Sequence, residues 1–223
     1  MVNNVIYVDQ SGGDDNESGD SEKNAVKTLE QASDLLKLVD GKSVEENKIV
    51  LVSDYRLSDD ECKNFPTKIP VTITGMEGNI SLKGRTVGND AYINLQEDIC
   101  FENLKVETIQ HIYGNGYDIT IGEGIQNNLK FYLYGAGQGK VDKVGKINVY
   151  SGTVLRIVGY ARSVSSVDVS EKLADITVGG TANIDKIIGG CANGEIKNGN
   201  VKINVKGGNV KNLVRGKKGF MSN

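Results

Sequence analysis

Lys146-Ile147-Asn148-Val149-Tyr150-Ser151-Gly152, Asp175-Ile176-Thr177-Val178-Gly179-Gly180 and Lys202-Ile203-Asn204-Val205-Lys206-Gly207-Gly208 repeat one pattern: charged, apolar, polar, apolar, then glycine. Ile147 and Ile176 stand 29 residues apart and Ile176 and Ile203 stand 27 apart. A weaker copy, Asp118-Ile119-Thr120-Ile121-Gly122, places Ile119 28 residues before Ile147. Strands that return at one long period, with glycine between them and no helical pattern, predict a solenoid. A second strand keeps the same period in Leu155-Arg156-Ile157-Val158-Gly159, Asp185-Lys186-Ile187-Ile188-Gly189 and Lys211-Asn212-Leu213-Val214-Arg215-Gly216. Ile157 follows Ile147 by 10 residues and Leu213 follows Ile203 by 10, whereas Ile187 follows Ile176 by 11, which implies one extra residue near 181–183. Alternation within a strand sends Ile147, Val149, Ile176, Val178, Ile203 and Val205 inward as stacked ladders and leaves Asn148, Thr177 and Asn204 as a polar ladder outside. At about 4.8 Å per rung, residues 47–223 would build roughly six to eight coils.

Composition agrees with this shape. The 223 residues hold 28 Gly and 2 Pro, which suits many tight bends between hydrogen-bonded strands, because Pro cannot donate to a ladder. A net charge of -3 argues against a nucleic-acid partner, which calls for a concentrated basic face. Lys211, Arg215, Lys217 and Lys218 form a basic cluster that reads as a solvated terminus. Cys62, Cys100 and Cys191 have no metal-ligand spacing and cannot all pair, so Cys100, inside Ile99-Cys100-Phe101, reads as a buried thiol. Nothing reads as a signal peptide or a membrane span, so the expectation is either a cytosolic protein or an excised piece of a longer secreted one.

Before the coils, Val5-Ile6-Tyr7-Val8 predicts a strand, residues 9–22 an acidic loop, and residues 25–39 a helix whose Leu29, Ala32, Leu36 and Val39 share one face. Thr28 with Gln31 has the spacing of a capping box, which would move the start later, and Gly41 ends the helix. Short strands follow from Lys48 onward, among them one long run from Ile99 to Val106. The division expected is therefore a single domain over 1–223, with 1–46 as strand, loop and capping helix and 47–223 as coils. The helix is placed to cover one end of the stack; Phe220-Met221-Ser222-Asn223 offers no comparable cap, which suggests a fragment.

Tyr7-Val8-Asp9, Gly13-Asp14-Asp15-Asn16, Gly19 and Val26-Lys27-Thr28-Leu29-Glu30-Gln31-Ala32 together resemble the opening of right-handed parallel β-helix proteins of the pectin-lyase-like superfamily. Ala25 stands where that opening usually has proline. The later coils, such as Ile187-Ile188-Gly189-Gly190-Cys191, are similar to those of large Gram-positive surface proteins with pectate-lyase-like adhesive domains. The resemblance implies an all-β fold, a right-handed parallel β-helix with an N-terminal capping α-helix. It also implies an extracellular or cell-surface location.

Enzymes of that superfamily would carry either Ca²⁺-binding carboxylates with an Arg base, or paired acids with a His and an Arg-x-Lys. Asp59-Asp60-Glu61 and Glu97-Asp98 are the tight acidic groups in the coil region, and neither lies beside such a motif, so both read as solvated turns. His111 is the sole histidine and reads as a loop or surface residue. Gly135-Ala136-Gly137-Gln138-Gly139-Lys140 lacks the Gly-Lys-Ser/Thr ending of a phosphate loop and reads as a turn.

Two groups are candidates for binding. Asp9, Asp14, Asp15 and Asp20, with Asn16 and Glu17, supply the hard oxygen ligands that a structural Ca²⁺ prefers, although the order of an EF-hand is absent and a solvated acidic loop is the alternative. Tyr132, Tyr134 and Tyr150 belong to a tyrosine-rich stretch; with Phe131 and Leu133 inward, Tyr132 and Tyr134 face outward and Tyr150 neighbours them, whereas the opposite facing buries Tyr132 and Tyr134. The expected function is a non-catalytic module of a bacterial surface protein that adheres to a host protein or glycan, with no membrane insertion. A polysaccharide lyase or glycoside hydrolase is the alternative.

Overall fold

The structure, a computed structural model, describes residues 4–37, 43–85 and 91–214. The chain winds as a parallel β-solenoid of about six turns. Its first sheet takes one strand from each coil, in the order Val5–Val8, Lys48–Leu51, Val71–Gly75, Ile99–Glu102, Ile119–Ile121, Ile147–Val149, Leu173–Val178 and Asn200–Val205. Neighbours are parallel throughout, and Ile99, Ile119, Ile147, Ile176 and Ile203 stand in one register row. The repeated apolar position is therefore one ladder, and it faces a core that runs from Ile6 to Ile187 without a break. Stacking in register lets every backbone group of a rung bond to the rungs on either side, which is why a 27- to 29-residue spacing can be read as structure.

A second sheet holds Tyr55–Arg56, Ser81–Lys83, Lys105–Glu107 and Gln126–Asn127. The third runs from Tyr92–Asn94 through His111–Tyr113, Phe131–Tyr134 and Thr153–Val158 to the late pairs Asn183–Ile184 with Ile187–Ile188 and Asn209–Val210 with Leu213–Val214. Ile157, Ile187 and Leu213 pair in register, as the second repeat predicts. Thr153 pairs with Asn183, 30 residues on, while Ile147 pairs with Ile176, 29 on, so the extra residue of the middle coil lies between Val178 and Asn183.

Local chemistry revises several boundaries. Helix α1, Leu29–Lys37 among the described residues, starts at 29 and not at 25, because Val26 bridges to Val8 and donates its N–H to the Tyr7 carbonyl. Thr28 Oγ1 accepts from Gln31 N (3.1 Å), the later start that its spacing implies. Val39 and Gly41 lie outside the described residues. Leu29, Ala32, Ser33 and Leu36 are buried, and the helix packs on the first two strands of the first sheet. The run from Ile99 to Val106 is two strands, since Asn103 takes φ 48° and turns the chain from the first sheet to the second. Asn tolerates that left-handed conformation better than most residues.

Asp59-Asp60-Glu61 is not a bare turn but the start of helix α2, Asp59–Lys63. Ser58 Oγ accepts from Glu61 N and Glu61 Oε2 accepts from Ser58 N (2.7 Å), a complete capping box that the Ser-x-x-Glu spacing could have announced. Cys62, Cys100 and Cys191 are all buried and unpaired with one another.

A satellite core lies beside the late coils, where Tyr160, Val169, Ala174, Cys191 and Ile196 pack under the small sheet formed by Ser163–Asp168 and Asn193–Lys197. The Tyr160 hydroxyl sits 3.0 Å from the Lys172 carbonyl and 2.8 Å from that of Asn200, and burial pushes its titration up to about 12.

Acid should loosen this fold. The Lys83 ammonium holds the Asp54 carboxyl below its ordinary value, and side-chain and backbone hydrogen bonds do the same for Asp14, Asp20, Asp168 and Asp185. A carboxyl lowered in the folded state contributes stability that is present above the unfolded value of about 3.9 and lost as pH falls through the folded one. Asp118 and Glu97, raised by burial, act in the opposite sense. The melting temperature is therefore expected to drop as pH falls from 5 towards 3, with a shallower drop in Asp54→Asn. A calorimetric profile that is flat over this range would contradict the assignment.

Candidate functional site

The acidic loop brings its carboxylates to separate tasks. Asp9 Oδ1 accepts from Ser11 N, Ser11 Oγ, Gly12 N and Ser53 Oγ; burial would raise this carboxyl, and these bonds together hold it below its ordinary value. Asp14 Oδ1 accepts from Asn16, and Asp20 Oδ1 from Ser21 and Asn24. Asp15 reaches across the loop, its Oδ1 accepting from Lys27 N and Thr28 N and its Oδ2 from Thr28 Oγ1, so it secures the entry to α1. Among the described residues no group of three or more His, Cys, Asp or Glu side chains is placed to hold a metal ion. A chelator is accordingly expected to leave the melting temperature unchanged, and a Ca²⁺-dependent rise would mean that Asp9, Asp14, Asp15 and Asp20 rearrange around the ion.

The three tyrosines separate. Phe131 and Leu133 point into the core, so Tyr132 and Tyr134 lie on the outer face of the third sheet, but Tyr134 is nevertheless buried. His111 is buried too, on a strand and not in a loop. The register places His111 beside Tyr132 and Tyr113 beside Tyr134 on successive rungs. Their rings stack at 4.6 Å and 4.8 Å, close to the rung spacing itself. Tyr134 Oη lies 3.3 Å from His111 Nδ1, and Arg162 Nη1 donates to Tyr113 Oη (3.0 Å). Arg156 covers Tyr132, its Cζ 5.8 Å from the ring centre. One face of Tyr132 and one of Tyr134 are thus taken by the ring of the preceding rung, and Arg156 lies over Tyr132. Burial raises the Tyr134 phenol further above its ordinary value.

Tyr150 lies elsewhere, at the end of Ile147–Val149 on the first sheet. The outer face of that sheet carries one unbroken register row: Lys48, Thr72, Cys100, Thr120, Asn148, Thr177 and Asn204. Over its first rungs lies an open depression of about 290 Å³, walled by Val44 and Glu45 on one side and by Tyr150 at the far end. Thr72 Oγ1 donates to the Val44 carbonyl (2.8 Å), and Asn148 Nδ2 donates to Thr120 Oγ1 (3.3 Å). Lys48 Nζ bonds Glu102 Oε1 at 2.9 Å on the floor. Burial pushes the Cys100 thiol up to about 11, so it sits in the groove as a neutral, weakly polar group and not as a nucleophile.

Glycines shape the Tyr150 end. A Cβ on Gly179 would fall 2.9 Å from Tyr150 Cδ1, so the ring lies against the bare backbone of the following rung. The polar ladder was legible in the sequence at Asn148, Thr177 and Asn204. Thr120 lies in the weaker copy at the same period, but the extension through Cys100, Thr72 and Lys48 was not legible, because Ile99 precedes Ile119 by only 20 residues and the period breaks there.

Compared with protein-family models, with curated proteins and with solved structures, the chain matches none. The fold is that of a parallel β-solenoid with a polar groove on one sheet. Of the terminal basic cluster, Lys211 bonds Asp185 (2.6 Å), while Arg215, Lys217 and Lys218 lie outside the described residues, as does Phe220-Met221-Ser222-Asn223. Among the described residues no helix is long and apolar enough to cross a membrane.

Proposed function

We propose that this chain is a non-catalytic binding module of the pectin-lyase-like kind, displayed outside a bacterial cell, and that its first-sheet groove holds a glycan chain laid along the solenoid axis. The observation that carries this reading is the register row itself: Lys48, Thr72, Thr120 and Asn148 set a charged, hydroxyl or amide side chain on each rung of the depression except that of Cys100, and Tyr150 lines the same depression. A ligand that repeats suits a surface that repeats, and hydroxyl and amide groups on rigid strands hydrogen-bond sugar hydroxyls without first losing much side-chain entropy.

Hydrolysis is the second reading, favoured by the presence of Glu45 and Glu102 in the same depression. Glycoside hydrolysis needs one protonated and one ionised carboxyl flanking the bond. Glu102 Oε1 is instead engaged by Lys48 Nζ at 2.9 Å, so this side chain is already occupied within the depression.

Binding to a panel of immobilised polysaccharides should be lost or weakened at least tenfold in Tyr150→Ala and in Asn148→Ala, and retained in Tyr132→Ala. New reducing ends or unsaturated products in the same incubations would replace the binding reading with the enzymatic one. Binding to matrix proteins or mucin-free host proteins with none to glycans would transfer the adhesive role to a protein partner.

A further inference from the structure

The outer face of the third sheet carries charge opposite in sign to that of the whole chain. Over residues 130–134, 153–158, 183–188 and 209–214 its four later rungs hold four cations, Lys130, Arg156, Lys186 and Lys211, and one acid, Asp185. The local balance is +3 in a chain whose net charge is -3. Asp185 is shared by Lys130 and Lys211, each 2.6 Å from it. Arg156 and Lys186 are left to face one another. Thr153 pairs with Asn183 and Ile157 with Ile187, so Arg156 and Lys186 hold the same position on adjacent rungs, about 4.8 Å apart at the backbone. Both are half-buried, and among the described residues neither has a carboxylate within 4.0 Å. Register partners elsewhere have opposite charge, Lys83 beside Glu107 and Asp175 beside Lys202. Like charges directly opposed on neighbouring strands cost stability, and a local conflict of this kind marks a position that serves something other than folding. Arg156 is also held close to the sheet by the Tyr132 ring, with Cζ 5.8 Å from its centre, and Arg162 reaches the same face, where Nη1 donates to Tyr113 Oη.

We propose that this wall is a second binding site, separate from the first-sheet groove, for a sulfated glycan whose sulfate ester sits between Arg156 and Lys186. A sulfate ester presents three terminal oxygens in a tetrahedral fan, enough to accept from a guanidinium on one rung and an ammonium on the next. A carboxylate or a phosphodiester presents two, which a single guanidinium can fill. The bound anion offsets the repulsion that the two cations suffer without it. Lys130 and Lys211 lie on the rungs before and after, and Asp185 offsets only one of their two charges, so the positive field runs along the axis for four rungs. A linear chain with a sulfate on successive sugars is complementary to that field.

Titration calorimetry of the full chain at low salt should show sulfated dextran binding at least tenfold tighter than unsulfated dextran, with the difference shrinking as salt is added. Arg156→Gln combined with Lys186→Gln should lose at least tenfold of that affinity. The same double variant, without ligand, should melt at the parent temperature or above it, because the repulsion is gone. Lys23→Gln combined with Lys27→Gln removes equal charge from exposed positions near the first end of the solenoid and should lose less than threefold. Tyr150→Ala should leave the sulfate-dependent binding in place, so failure of the groove and failure of this wall are told apart. Equal binding of the two dextrans, equal losses in the two double variants, or tighter binding of polygalacturonate or single-stranded DNA would each overturn the proposal. A lowered melting temperature in the Arg156→Gln, Lys186→Gln protein would do so as well, since it would make the pair a structural one.

Discussion

Ile176→Asp is expected to unfold the C-terminal rungs of the solenoid. The side chain is fully buried and stands in the ladder between Ile147 and Ile203, with Val178 two positions along the same strand. Removing it forfeits about 1.5 to 3 kcal/mol of apolar burial. Placing a carboxylate there adds the larger cost of an unpaired charge in an apolar core, which no side chain of the ladder can offset. Together these exceed about 4 to 5 kcal/mol, a large share of the 5 to 15 kcal/mol that holds an ordinary domain together. A solenoid rung contacts its immediate neighbours, so the damage should be directional. Hydrogen exchange should show lost protection from Leu173 onward and persisting protection in Lys48–Leu51 and Val71–Gly75. Thr177→Asp, on the outer face of the same strand, should shift stability by about 1 kcal/mol or less. An Ile176→Asp protein with the parent melting curve would refute the inward ladder.

The second large effect is expected from Gly145→Ala, a change of one methyl group. Gly145 leads into the strand Ile147–Val149 and is pressed against the preceding rung, where an added Cβ would lie 1.9 Å from the Tyr117 carbonyl oxygen and 2.3 Å from its carbon. Both are backbone atoms, and they are held in place: Gly145 N donates to the Gly135 carbonyl, Tyr117 N to that of Gly114, and Ile119 N to that of Lys146. Neither rung can withdraw without giving up ladder hydrogen bonds. The cost should be about 3 kcal/mol or more, at or above the upper end for overpacking. Gly139→Ala provides the contrast, because its nearest neighbour is the Ser163 carbonyl at 3.7 Å, an ordinary contact. Urea titrations of the two variants should differ by several kcal/mol in unfolding free energy; equal midpoints would mean that the two rungs separate more readily than their hydrogen bonds imply.

These two residues differ in how they could be found. Ile176 was legible from spacing, since alternation along one strand and recurrence of that strand are both visible in the chain. Gly145 was not, because its importance comes from Tyr117 in the coil before it, and glycine in a loop carries no mark of what approaches it. Helix α2 was missed for a different reason. Its five residues are too short for an apolar period, and its signal was the Ser58–Glu61 pair alone.

The candidate sites follow the same division. Outward facing of Tyr132 and Tyr134 was predicted from Phe131 and Leu133, and burial of Tyr134 as part of the alternative facing. The molecule combines outward facing with burial, because Tyr113, Val158, Ile188 and Arg162 close over the outer surface of the sheet. Tyr150 stood near these tyrosines in sequence and belongs to another sheet, as a coil turns through three sheets in fewer than 30 residues.

By itself the sequence determined the stacking: period, register of the late coils, the inward ladder and the helix at the first end all follow from side-chain alternation and recurrence, which act within one coil. Tertiary structure decided what covers the outer faces and where a groove remains open. Those outcomes depend on pairs such as Arg162 with Tyr113 and Lys48 with Glu102, 49 and 54 residues apart, brought together by the winding and by no local preference of either residue.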